Sequence, residues 1–239
     1  MKYGRAYRYV LDREGGTKSI LLASLALGST MLIPVVGALV LMGYQAEVCE
    51  DLERDPDLED HDDFSFDHFS RYLSRGVWPF LMNLIVGAIT MVFIALAVAA
   101  AVGVGVATQE VLIGYLSFYL FLIPPVFIGS LISMPLMLHV QLSGKLRVGA
   151  SFAFASRFLG KLWGQSLVTL FVHFLISGVV SVVGYLMCCV GIFPATVVTM
   201  MAQEHLSLQL YRIYLAEGGE PIGSAAEEAE YDDDDVDAR

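Results

Sequence analysis

Apolar residues in this chain come in long blocks rather than at alternating or amphipathic spacings. Four stretches contain no Asp, Glu, Lys or Arg at all: Ser19–Ala46, Gly76–Gln109, Val111–Gly144 and Leu162–Gln203. A helix on the surface of a soluble domain needs a polar face, and none of the four has one wide enough. One membrane crossing takes about 20 apolar residues. Every stretch reaches that length, and the last is long enough for two crossings. The pattern predicts an all-α, polytopic transmembrane helical bundle with about five to six membrane helices in hairpins, introduced by interfacial amphipathic lead-in helices.

Punctuation inside the blocks divides the chain further. Residues 1–18 read as a basic interfacial segment, with Tyr3, Tyr7 and Tyr9 set among Lys2, Arg5 and Arg8 as in a helix lying on anionic lipid. Residues 19–46 form a bent or re-entrant membrane hairpin, broken between Gly28 and Pro34. Residues 47–76 are an acidic linker plus a short interfacial helix, Phe69–Arg75. Residues 77–143 read as a transmembrane hairpin whose first helix starts near Trp78 and ends in a loop at Gly103-Val104-Gly105. Thr108 then caps the next helix, with Glu110 in its first turn, and Pro124, Pro125 and Pro135 predict kinks in it. Residues 144–161 are a basic interfacial linker. Residues 162–215 form a second transmembrane hairpin, turning at Cys188–Gly191, with Pro194 opening the final helix. Residues 216–239 are an acidic, low-complexity tail expected to be disordered.

Composition agrees. The 239 residues are 56% hydrophobic and 16% charged, against roughly 45–50% and 25% in soluble domains. The first block is longer than the roughly 7–15 residues of a signal-peptide core and reads as a retained segment. The net charge of −11 belongs to two places: eleven carboxylates lie between Glu47 and Asp67 and ten between Glu217 and Asp237.

Basic residues flank the membrane at the N-terminus, in the first linker, from Lys145 to Lys161 and at Arg212. The positive-inside rule puts all of these in the cytoplasm. That arrangement requires Ser19–Ala46 to return to the side it left. Both termini are then cytoplasmic, in a multi-pass protein of the cell (inner) membrane. Counting Ser19–Ala46 as a single crossing gives the alternative, five crossings with an external N-terminus.

An internal repeat runs through the lead-in elements. Ser65-Phe66 matches Ser151-Phe152 at an offset of 86 residues, and Ser70-Arg71-Tyr72-Leu73 matches Ser156-Arg157-Phe158-Leu159 at the same offset. Arg75 corresponds to Lys161, and Trp78 to Trp163 after a one-residue gap. Arg71, Trp78, Arg157, Lys161 and Trp163 are therefore the expected interface anchors, with the cations snorkelling and the indoles at headgroup depth.

The run from Leu32-Ile33-Pro34 to Gly43-Tyr44, the acidic linker and the basic-aromatic leads resemble the prokaryotic domain-of-unknown-function family 4013. Cys188-Cys189-Val190-Gly191-Ile192-Phe193 and Leu210-Tyr211-Arg212 are similar to that family's C-terminal part. The resemblance covers roughly Tyr3 to Gly219. Members often carry a Leu-Pro and a Trp in the linker, where this chain has Pro56-Asp57-Leu58-Glu59 and no Trp. The resemblance implies a membrane location and supplies no activity or catalytic residue.

Candidate chemistry is sparse. No ionisable Asp, Glu, Lys or Arg falls inside the blocks, which argues against ion-coupled transport. Asn83, His139, Gln165 and His173 remain. Ser166, Thr169, His173, Ser177 and Ser181 recur at three- and four-residue spacing and form a polar stripe on one helix face. Such a stripe lines a path or, more commonly, glues helices together. No Gly-x-Ser-x-Gly elbow, HExxH, phosphate loop or dinucleotide fingerprint is present, so no enzyme and no cofactor is expected. Asp55, Asp57, Glu59, His61 and Asp63 alternate like calcium-loop ligands. Asp60 stands where that loop needs Gly, and Phe66 where it needs the closing Glu. No metal site is expected, and loose divalent binding is the most this spacing allows. The partners implied are membrane lipid and, through the acidic segments, a basic protein. Nucleic acid would be repelled. Homo-oligomerisation stays open. Two functions fit: a non-enzymatic membrane scaffold or regulatory module, slightly preferred, and a permease-like bundle for a neutral or amphiphilic solute.

Overall fold

The computed structural model describes residues 1–13, 15–31, 33–55, 57, 61–187 and 190–223. Among them are seven α-helices: α1 Tyr3–Asp12, α2 Gly16–Gly28, α3 Pro34–Arg54, α4 Phe69–Thr108, α5 Val111–Ser143, α6 Val148–Leu186 and α7 Ile192–Ala216. Short 3-10 turns, Ser29–Met31 and Phe66–His68, precede α3 and α4. The chain is all-α, and α4, α5 and α6 are long and apolar enough to cross a membrane.

The first membrane block breaks where Gly28 and Pro34 predict. Pro34 occupies the first turn of α3, where its missing N–H costs nothing. Ser19 meets Tyr44 hydroxyl to hydroxyl at 3.0 Å, and a Cβ on Gly37 would strike the carbonyl of Ala26. These two contacts fix α2 and α3 as an antiparallel pair. At its tip Leu25, Met31, Ile33 and Val35 are exposed.

α4 has 40 residues, about 60 Å at 1.5 Å per residue, roughly twice a hydrocarbon core. Phe69–Arg75 is thus the first two turns of one continuous helix, not a separate lead-in. Beyond Phe69 and Trp78, its exposed large apolar residues run from Leu84 to Val106, and those of α5 from Val111 to Ile128. An apolar surface of that extent is not stable in water and marks the lipid-facing half. The loop expected at Gly103-Val104-Gly105 is helical, and the reversal comes later, at Gln109, with φ 55°. Inside hydrocarbon the backbone must satisfy its own hydrogen bonds, so these glycines stay in the helix. Gly105 serves packing instead: its Cβ would lie 3.3 Å from the Cα of Gly114 on α5. Thr108 bonds back to the carbonyl of Val104 at 2.9 Å and does not cap α5, whose N-cap is Glu110. α5 continues through all three of its prolines and ends at Gly144, φ 62°, the left-handed closure that glycine favours. α6 is one helix with a break at Leu162 (φ −114°, ψ 20°), which separates the basic stretch from the apolar one. Met187, Val190 and Gly191 flank the turn into α7; Cys188 and Cys189 lie outside the described residues. So do Leu58, Glu59 and Asp60 of the linker and the tail 224–239.

The non-lipid halves of the helices gather into an aromatic base. Phe64 stacks on Tyr72 at 5.2 Å, Tyr44 meets Phe64 edge-on at 5.1 Å, and Phe158 packs on Tyr214 at 5.3 Å. The N-terminal segment packs on protein along one face. α1 buries Ala6, Tyr7, Tyr9 and Val10 and packs on α2 and α7. The acidic linker is likewise built in: α3 carries Glu47–Glu53 as helix, and His61 and Phe64 are buried.

Candidate functional site

A cavity of about 650 Å³ opens between the α4–α5 hairpin and the α6–α7 hairpin. Asn83 and Thr90 reach it from α4, Ser130 and Ser133 from α5, His173, Ser177 and Ser181 from α6, and Thr199 and Gln203 from α7. Val86, Ile94, Val126, Leu170, Phe174 and Met200 supply the apolar wall. Among the described residues no charged side chain lines it. This concave, mostly apolar shape with a few converging polar groups is that of a small-ligand site.

His173 is fixed from both sides. The Tyr7 hydroxyl lies 2.9 Å from Nδ1, and the Ser177 hydroxyl lies 3.2 Å from Nε2. Tyr7 also reaches Ser177 at 3.3 Å and the His173 carbonyl at 3.4 Å. Tyr7 and the histidine ring stack at 6.1 Å. The spacing of His173 and Ser177 puts them one helical turn apart on α6. Tyr7 comes from α1, and sequence reading had it as an interfacial aromatic.

Ser166, Thr169, His173, Ser177 and Ser181 all lie in α6 beyond its break at Leu162, in differing surroundings. Ser166 and Thr169 are buried toward the base, with hydroxyls that have no hydrogen-bond partner among the described residues, and they do not line the cavity. His173, Ser177 and Ser181 do, and Ser181 is exposed at its outer end. Asn83 joins them from α4. His139 sits apart, 3.0 Å from the Ser151 hydroxyl, and Gln165 is exposed.

The interface anchors mostly bind protein. Arg71 pairs with the buried Glu47 at 2.6 Å, Arg75 pairs with Glu50, and Arg157 meets Glu220 at 3.3 Å. Lys161 donates to the carbonyls of Glu217 and Gly218 at 2.9 and 2.8 Å, where a cation suits the C-terminal end of α7. Trp78 and Trp163 remain exposed. The matched residues of the two lead-ins thus meet the C-terminal ends of α3 and α7.

A second polar cluster lies in the base. Tyr9 donates to the Met201 carbonyl at 3.0 Å and packs on His205 at 4.7 Å and His61 at 5.7 Å. Arg13 holds the linker through the His61 carbonyl and Asp63. Burial holds the His61 imidazole below its ordinary range, and burial pushes the Tyr9 phenol well up. Both side chains are therefore neutral structural parts at neutral pH. Beside them Gln141 of α5 donates to Glu204 of α7 at 3.0 Å. Sequence reading missed Glu204 because the uncharged block ends one residue before it.

Long apolar hairpins standing on a polar, aromatic base, with an uncharged cavity between them, define a helical membrane protein. The chain belongs to the family described as Protein of unknown function (DUF4013), which matches residues 26–189. No curated protein and no solved structure matches it.

Proposed function

We propose that this protein is a non-enzymatic, permease-like membrane module that takes a neutral or amphiphilic solute into the cavity between its hairpins. One observation carries this reading: polar groups from four helices, Asn83, Ser133, His173 and Gln203 among them, converge on about 650 Å³ with no charge among the described lining residues. Uncharged donors and acceptors in an apolar wall suit a hydroxyl- or amide-bearing ligand, since an ionic one would lose its water without gaining a counter-charge. Ser177 and His173 form a hydroxyl–imidazole pair, but it lies on a regular helical turn, where backbone N–H groups are used by the helix and none is left to hold an oxyanion.

The scaffold reading is weaker, because linker carboxylates hold their own chain. Glu47, Glu50 and Asp63 pair with Arg71, Arg75 and Arg13, and Asp51 accepts from the Asp62 amide at 3.2 Å. A photoreactive amino acid at Ser181, in cells, tests the choice. Capture of a small solute or amphiphile, competed by excess of that compound, supports the cavity reading. Capture of ordinary bulk phospholipid alone contradicts it.

A further inference from the structure

The last uncharged block ends at Gln203, and the fold buries the carboxyl that follows. Glu204 is 9% exposed, and Gln141, which donates to its Oε1, is 1% exposed. Among the described residues Glu204 has no ion pair. The other amide atom of Gln141, the acceptor Oε1, is buried and has no hydrogen-bond partner among the described residues. An ionised Glu204 leaves both facts unresolved: it has no hydrogen to give that oxygen, and it is a dry charge held by one neutral donor. A protonated Glu204 resolves both. Its O–H can donate to Gln141 Oε1 while Gln141 Nε2 donates back, the two-bond ring that a carboxylic acid and a primary amide form.

We infer that Glu204 and Gln141 form a proton-binding site that ties α7 to α5 at the base of the cavity, and that release of the proton loosens this tie and changes access to the cavity. The released proton goes to bulk water, and Gln141 is unchanged. The surroundings favour the neutral form. Tyr9 of α1 and Cys49 of α3 are buried within electrostatic reach of the carboxyl, and Glu50 and Glu53 stand farther along α3. On α7 itself His205 is bonded through Nδ1 to Gln209 at 2.9 Å. Lys18 of α2 and Arg157 and Lys161 of α6 sit at the surface, and His173 of α6 faces the cavity. The link to the cavity is short. Gln203, next to Glu204, lines it, and so does Ser133, about two turns from Gln141 along α5.

Infrared titration of the full chain in nanodiscs tests the site. The expected result is a carboxylic-acid carbonyl band that persists at neutral pH, fades on alkaline titration and is absent in Glu204→Gln, an isostere of the protonated acid. Gln141→Leu should keep the band and move it to higher frequency, because the carbonyl loses its donor. No such band at neutral pH, or a band that survives in Glu204→Gln, overturns the proposal. Access is read from a nitroxide on Ser181→Cys, with Cys188 and Cys189 replaced by Ser, colliding with a water-soluble relaxing agent. Accessibility should change several-fold as the band fades and be flat with pH in Glu204→Gln. A flat response in the otherwise unaltered protein overturns the coupling. This second measurement rests on the cavity reading, whereas the infrared band does not. A titrating band in a protein that captures no solute would therefore leave the proton site standing and remove only the cavity's function.

Discussion

Two glycines decide how closely α3 and α4 can approach. A Cβ on Gly43 would run into the backbone of Tyr72, and one on Gly76 into the carbonyl of Leu39. In both cases the obstacle is main chain, which cannot rotate away as a side chain can. Gly76→Ala is therefore expected to destabilise the protein by about 1–3 kcal/mol, the usual cost of overpacking. Gly160→Ala, where nothing lies within 4 Å, should be neutral or slightly stabilising, because alanine is the better helix former. Thermal unfolding in detergent separates the two; equal melting temperatures would refute the close-approach argument. Gly160 and Gly164 were a visible Gly-x-x-x-Gly pattern, yet a Cβ on either meets nothing, while the glycines that matter lie on different helices. Local spacing made the His173–Ser177–Ser181 face legible, because periodicity is a property of one helix. It could not reveal Tyr7 or Glu204, whose roles depend on partners 166 and 63 residues away.

The long apolar helices α4, α5 and α6 were legible in the uncharged blocks because hydrocarbon penalises charge wherever the chain later folds. Their ends were not. Pro79 and Gly76 are residues at which helices commonly start or end, yet α4 runs through both. Pro79 leaves the carbonyl of Arg75 without its helical donor, while packing of Gly76 on α3 holds the segment in register. The break at Gly28–Pro34 was legible because a proline opening a helix and a glycine closing one act locally. The antiparallel contact of α2 and α3 predicts that both ends of this hairpin face one side of the membrane. Thr17→Cys and Glu53→Cys, each exposed, should then react with a membrane-impermeant thiol reagent from the same side. Reaction from opposite sides would establish the five-crossing topology instead.

At the scale of the whole molecule, the base and the hairpins divide the work. The base is closed by aromatic stacking and by ion pairs such as Glu47–Arg71. Long helices rooted there carry the cavity into the lipid-facing region. Of the linker carboxylates, Glu47, Glu50 and Asp63 are fastened to Arg71, Arg75 and Arg13 of the same chain; the net charge told of their number and nothing of their pairing. The cavity itself was invisible in the sequence, since its lining is drawn from four helices spread between Asn83 and Gln203. Native mass spectrometry of the protein released from nanodiscs decides whether the cavity holds a ligand. The account predicts a stoichiometric small molecule or amphiphile that leaves with the wild-type protein, is retained when residues 224–239 are removed, and is lost by at least about tenfold, the effect of roughly 1.4 kcal/mol, in His173→Leu. A bare wild-type protein, or a protein partner lost with the acidic tail while His173→Leu changes nothing, would contradict it.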